Sequence, residues 1–147
     1  MKIDDKDTQI LKHLLLDSRQ SARQLSLRMG VSTVTMISRI KKLEQQKIIQ
    51  GYSVRLDHEL LGYTITAIIE ITTNQGKMLE IENVISKKEN VIAVYDITGN
   101  ADTMIIAKFK NRKTLSDFIK KISAMPNIRN TVTHVVLNTI KEDNRLM

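Results

Sequence analysis

The sequence predicts an α+β chain in two parts: an N-terminal winged-type helix-turn-helix unit, then a C-terminal βαββαβ unit of ferredoxin-like type. Two observations carry this. Residues 20 to 44, QSARQLSLRMGVSTVTMISRIKKLE, hold two short helical patterns joined by a tight turn. Beyond Tyr63 the apolar period changes from helical to alternating, and helical and alternating stretches then succeed one another in the order β-α-β-β-α-β.

The elements follow in order. Ile3, Ile10, Leu11, Leu14 and Leu15 keep helical spacing behind Asp4 and Asp5, either of which can cap. Ser21 and Gln24 form an S-x-x-Q capping box for a second helix, which Gly30 closes in the left-handed conformation. Ser32 is the N-cap of a third helix. At 100° per residue Met36, Ile40 and Leu43 share its core-facing stripe, and Val34, Ile37, Ser38 and Lys41 fall opposite. The stretch IIQGYSVRLD reads as a short two-stranded wing or an extended connector. Boundaries are placed at 1–52 for the helix-turn-helix domain, 53–62 for a hinge or linker strand with Gly62 as the joint, and 63–147 for the βαββαβ domain.

In the second part Tyr63, Ile65, Ala67, Ile69 and Ile71 alternate with Thr64, Thr66, Glu70 and Thr72, as in a strand with one buried face. Met78, Ile81, Val84 and Ile85 mark a helix. VIAVYDIT and ADTMIIAKF are two strands, with Gly99-Asn100 suited to a tight hairpin between them. Leu115, Phe118, Ile119 and Ile122 mark a second helix, stopped near Met125-Pro126, before a last strand around TVTHVVLN. Right-handed crossovers fold this order into a four-stranded antiparallel sheet with both helices on one face. Ile68, Val94, Ile106 and Val135 are expected on the other face, and a second subunit is expected to cover it.

Composition bounds the partners. The 147 residues carry a formal net charge of +7, of which residues 1–58 supply +5 and residues 59–147 only +2. A basic front segment suits a polyanion. The apolar runs are too short for a membrane span and MKIDDKD is too acidic for a signal peptide, so a cytoplasmic protein is expected. With no Cys there are no disulfides and no thiolate zinc site. His13, His58 and His134 fall in different elements without spaced partners, so no metal, no cofactor and no enzymatic activity are expected.

Two aliphatic side chains beside a hydroxyl and an ammonium make a sensible major-groove surface, because thymine presents a methyl group there. The DNA-contacting set expected on this basis is Ser32, Thr33, Val34, Thr35, Ile37, Ser38, Arg39, Lys41 and Lys42. Lysines lack the planar fork that pairs guanine bidentately, which makes Lys41 and Lys42 phosphate contacts. Thr35 and Ser38 can reach base edges or sugar oxygens. Arg39, on the flank, is either a phosphate clamp or the partner of an internal acid such as Asp17.

Having reached these residues, the chain resembles the leucine-responsive regulator/AsnC (Lrp/AsnC, feast/famine) family of bacterial and archaeal transcription factors over almost its full length. The resemblance lies in IDDKDTQILKHLLLDSR, VSTVTMISRIKKLE, IIQGY, Leu61-Gly62, ITGNADTMI and TVTHVVL, in that order and spacing. It implies a winged-type DNA-binding domain, a strand-containing hinge, and a βαββαβ sensing domain of RAM/ACT-like type. It also implies homodimers that assemble further, to tetramers or octamers, with amino-acid effectors bound where sensing domains meet. Gly99, Asn100 and Asp102 match the family's G-[DN]-x-D pattern, and Thr103 departs from the aromatic or aliphatic residue that follows it. Lys47 stands where the family commonly has Gly. Asp102 has two readings, a carboxylate that receives the ammonium of an amino acid or a residue satisfying its own turn. Thr131 and Thr133 are further candidates for the same pocket. An architectural DNA-binding protein with little sequence preference, or an RNA-binding module, are the alternative readings. The RNA-recognition fold stacks bases on central-strand aromatics, and here those strands hold only Tyr95 and Phe109.

Overall fold

The computed structural model describes residues 3–74, 78–143 and 145–146. The side chain of Met78, expected on a helical stripe, lies outside the described residues. The chain divides into two compact units, one of the described residues up to Arg55 together with those from Glu142 on, the other Leu56–Lys141. The last residues therefore group with the first unit, where the sequence placed them in the second.

The first unit is three helices, α1 (Asp5–Leu16), α2 (Ala22–Met29) and α3 (Thr33–Gln45). Each N-terminus is satisfied by a side chain. Asp4 and Asp7 exchange backbone and carboxylate bonds at the start of α1; Ser21 and Gln24 do so at α2; Ser32 accepts from the Thr35 amide at 3.1 Å at α3. Gly30, at φ 62°, turns the chain out of α2. Ile10, Leu14, Leu25, Met36 and Leu43 form the buried core, with Leu11, Ile40, Ile48 and Ile49 packed on it. Burying five large apolar side chains stabilises a small unit by about 1.5–3 kcal/mol each before conformational entropy is subtracted.

No strand forms over residues 48–57: of the two readings of IIQGYSVRLD, the connector is the one adopted. At its start Lys47 adopts φ 58°. Its N–H donates to Glu44 O at 2.9 Å and that of Ile48 to Leu43 O at 3.0 Å. This is a Schellman closure with lysine in the glycine position. It folds Ile48 and Ile49 back onto the core, and the chain leaves extended with no adjacent segment to pair. Residues 57–62, expected as linker strand, form a turn instead. Asp57 caps it through the Leu60 amide at 3.1 Å, and Gly62, at φ 86°, closes it by donating to Glu59 O at 2.8 Å.

The second unit runs β1 (Ile65–Thr73), α4 (Met78–Ile85), β2 (Val91–Asp96), β3 (Thr103–Phe109), α5 (Arg112–Ser123), β4 (Ile128–Val135). The sheet is antiparallel in the order β2-β3-β1-β4, the ferredoxin-like arrangement expected. Ala67, Ile69, Ile71, Ile105, Ala107 and Phe109 meet Ile81, Ile85, Phe118 and Ile122 of the two helices in one core.

The opposite face differs from expectation at two of four positions. Ile68 and Ile106 are paired there. Val94 pairs with Ile105 and packs against the core, because a bulge between Val91 and Ala93 shifts the alternation by one residue. Val135 pairs with Ala67 and so shares the helix-facing side. The open face carries Thr66, Ile68, Glu70, Met104, Ile106, Lys108, Val132 and His134 by register, with Ala93 and Tyr95 at its edge; Tyr95, expected on a central strand, thus lies on the outer strand β2. The β2–β3 connection is also longer than a tight hairpin. It spans residues 97–102, and the Ile97 amide donates to Asp102 O at 2.9 Å across its base.

Candidate nucleic-acid interface and ligand region

Helix α3 owes its placement to Met36 and Leu43, fully or almost fully buried, so the remaining face is turned outward. Val34 is 77% and Ile37 41% exposed, and Thr35, Ser38, Lys41 and Lys42 are exposed around them. Two shallow depressions flank the ridge that Val34, Ser38 and Lys42 share. One is bordered by Asp4, Thr35 and Arg39, the other by Ile37, Lys41 and Gln45. An exposed ridge of short aliphatic, hydroxyl and ammonium groups on a 13-residue helix has the shape and chemistry that a major groove accepts.

Four of the expected residues, Ser32, Thr33, Thr35 and Arg39, are already engaged within the chain. Ser32 is the cap, its hydroxyl 2.8 Å from Thr35 Oγ1. Thr33 turns inward, 3.1 Å from the buried Ser26 hydroxyl, and ties α2 to α3. Arg39 forms an internal pair, not with Asp17 but with Asp4 and Asp7. Its Nη1 lies 2.8 Å from Asp4 Oδ2 and 2.6 Å from Asp7 Oδ1, while Asp17 is taken by Arg19 at 3.2 Å. The Asp7 amide and then the Arg39 guanidinium hold the Asp4 carboxyl below its ordinary value, and the two carboxylates raise the Arg39 guanidinium. Sequence reasoning missed Gln45 and Asp4. Gln45 was accessible to it, being one turn beyond Lys41 on the same face. Asp4 was not, since only the packing of α1 across α3 brings it there.

The residues expected to form a ligand pocket are partly separated. Gly99 (φ 127°) and Asn100 are exposed in the 97–102 connection. The Asp102 carboxylate bonds outside its own turn. Its Oδ2 accepts from the Thr73 amide at 2.6 Å and the Thr73 hydroxyl at 3.1 Å. It thereby closes the end of β1 where the pairing with β4 shifts between Thr72 and Thr73. Thr131 and Thr133 lie across β1, paired with Ile71 and Ile69. Two strand spacings, about 10 Å, separate the β3 and β4 flanks. The Thr131 hydroxyl is 3.0 Å from that of Ser123 on α5. Thr103, the departure from the family pattern, is fully buried and donates to Glu82 Oε1 at 3.0 Å, joining β3 to α4. Among the described residues no group of three or more His, Asp or Glu is placed to hold a metal, and no helix is long and apolar enough to cross a membrane.

Comparison with known proteins agrees with this layout. A family model described as an AsnC-type helix-turn-helix domain matches residues 3–44, and one described as an Lrp/AsnC ligand binding domain matches residues 66–146. An uncharacterised HTH-type transcriptional regulator of Pyrococcus furiosus is 44% identical over 146 residues, covering 99% of each chain. The HTH-type transcriptional regulator FL11 of Pyrococcus abyssi is 32% identical over 99% of this chain and 97% of its own. Among solved structures, LrpC of B. subtilis superposes with a TM-score of 0.87 at 30% identity, over 96% of this chain and 99% of that one. A Neisseria meningitidis transcriptional regulator crystallised with L-Met gives 0.91 at 24% identity, over 99% and 97%, a likeness of fold.

Proposed function

The chain belongs to the Lrp/AsnC family of transcriptional regulators, and on that premise we propose that it reads specific duplex sites through the outer face of α3. On this reading it acts in the cytoplasm as a dimer or higher oligomer modulated by a small amino acid. The observation that carries the DNA reading is the exposed ridge of Val34, Ser38 and Lys42 with Thr35, Ile37 and Lys41 beside it. Lys41 and Lys42 contact phosphates and fix register; Val34, Thr35, Ile37 and Ser38 meet base edges. Ser32 and Thr33 act by fixing the start of the helix.

Association follows from the open sheet face, where Ile68, Met104, Ile106 and Val132 are apolar and only partly shielded within the chain. A two-fold pair of such faces sets two α3 helices to read half-sites about one helical turn, or a multiple of it, apart. The effector reading rests on the ligand-binding description of the matched family model and on the 97–102 connection. There Gly99 and Asn100 present backbone groups and Asp102, still partly exposed, offers a carboxylate to an ammonium. Thr131 and Thr133 enter this site only if a second subunit bridges β1.

The test is a footprint of the full-length protein on DNA upstream of its own coding region, with and without a mixture of the twenty amino acids. Discrete protected half-sites whose occupancy or spacing responds to the mixture support the proposal. Uniform protection identifies an architectural DNA-binding protein, and binding to RNA alone removes α3 as the reader.

A further inference from the structure

One acidic side chain stands on a surface whose other charged groups are cationic. Asp4 borders the same depression as Val34, Thr35, Ser38 and Lys42, its side chain is 53% exposed, and both its oxygens accept from Arg39 Nη1, at 3.0 and 2.8 Å. Asp7 holds the same nitrogen from the interior at 2.6 Å, with a side chain only 3% exposed. The guanidinium is thus anchored by one carboxylate from within and covered by a second toward solvent.

A carboxylate and a phosphate offer a guanidinium equivalent acceptor oxygens. We propose that Asp4 is an internal phosphate stand-in that withholds Arg39 from DNA, making the Asp4–Arg39 pair a determinant of specificity at the interface. The inference rests on the reading of α3 as the DNA-contacting helix. A phosphate approaching Arg39 meets the Asp4 carboxylate first, so a loosely seated, random duplex gains nothing from this cation. A cognate duplex that draws α3 into the groove can displace Asp4, and the guanidinium keeps Asp7 throughout. The device lowers random binding while leaving cognate binding nearly intact, which widens the ratio between them.

Asp4→Asn tests this in the full-length protein, because Asn caps a helix as well as Asp and the fold is kept; Asp4→Ser, also a good cap, must behave alike. Binding to a random duplex is measured between 50 and 200 mM salt. One more phosphate contact steepens the log–log salt slope by about 0.9, so the fall in affinity across that range grows by about 3.5-fold. The slope on the footprinted site should hardly change. Asp5→Asn, with the same charge change one residue along, should not steepen the random slope. The proposal is overturned if the wild type binds with normal salt dependence and Asp4→Asn leaves the random slope unchanged, or if Asp5→Asn steepens it equally. A wild type that binds no duplex in a salt-dependent way overturns the reading of α3 as well, which separates the two failures.

Discussion

Replacing Arg39 by Gln should destabilise the first unit by stranding the carboxylate of Asp7. The Asp7 side chain is 3% exposed and its Oδ1 lies 2.6 Å from Arg39 Nη1, so removing the guanidinium leaves a carboxylate out of water without its counter-charge. Breaking a buried ion pair from one side costs about 3–5 kcal/mol. Arg39 itself is 26% exposed, which lets water reach the pair and places the expectation at the lower end, about 3 kcal/mol. Asp7→Asn is milder. It keeps the shape and the partner's other bonds, because Arg39 still donates to both Asp4 oxygens; losing one charge-assisted hydrogen bond costs about 1.5 kcal/mol. In the double variant no stranded charge remains, so its cost should fall about 2–3 kcal/mol short of the sum. Urea unfolding of full-length protein, followed by circular dichroism at the helical transition, measures all three variants. Additivity within about 0.5 kcal/mol would refute the claim that the pair is a coupled internal brace.

Lys47→Gly should raise stability by about 1 kcal/mol, since lysine holds φ 58° there and a non-glycine residue in that region costs about 1–2 kcal/mol, offset in part by the greater chain entropy of glycine. Lys47→Ala in the same urea unfolding experiment should give no such gain. Lys41→Ala and Lys42→Ala should each lower the salt slope by about one unit and weaken specific and random DNA alike, whereas Ser38→Ala and Ile37→Ala should change which half-site is preferred in a competition assay. A lysine introduced at Ile106, on the open sheet face beside Ile68, should turn a sedimenting dimer into a folded monomer; an unchanged sedimentation coefficient would place the subunit contact elsewhere. Asp102→Ala should lose calorimetric heat for whichever amino acid binds wild type, and equal binding by both would leave Asp102 as the residue that closes β1 on Thr73 and nothing more.

Local chemistry in the sequence was enough for the elements and their caps. Ser21 with Gln24 and Ser32 before Thr33 are short-range hydrogen-bonding patterns, and the left-handed Gly30 needs no distant contact to be read. Alternation in β1 and helical spacing in α3 likewise report which face is apolar, so the core stripes of Met36 with Leu43 and of Ala67, Ile69 and Ile71 were legible. The outward ridge of α3 was legible as the complement of its core stripe, and the family's own motifs named the layout.

Tertiary structure decided what depends on an inserted residue or on segments distant in sequence. Alternation counts in twos, so the bulge near Ile92 that moves Val94 to the core side left no mark in the periodicity. Propensity left open whether IIQGYSVRLD pairs or serves as a connector, and it gave no sign of the left-handed backbone at Lys47. Arg39 could be placed on a flank but not given a partner, because Asp4 and Asp7 lie 35 and 32 residues away along the chain and reach it only through the packing of α1 on α3. Asp102 is the same case: its bond to Thr73 spans 29 residues and exists because β1 and β3 are neighbours. Covalent proximity fixes caps and stripes; the pairing of charges across the fold is set by which apolar faces pack together, and that is decided by the chain as a whole.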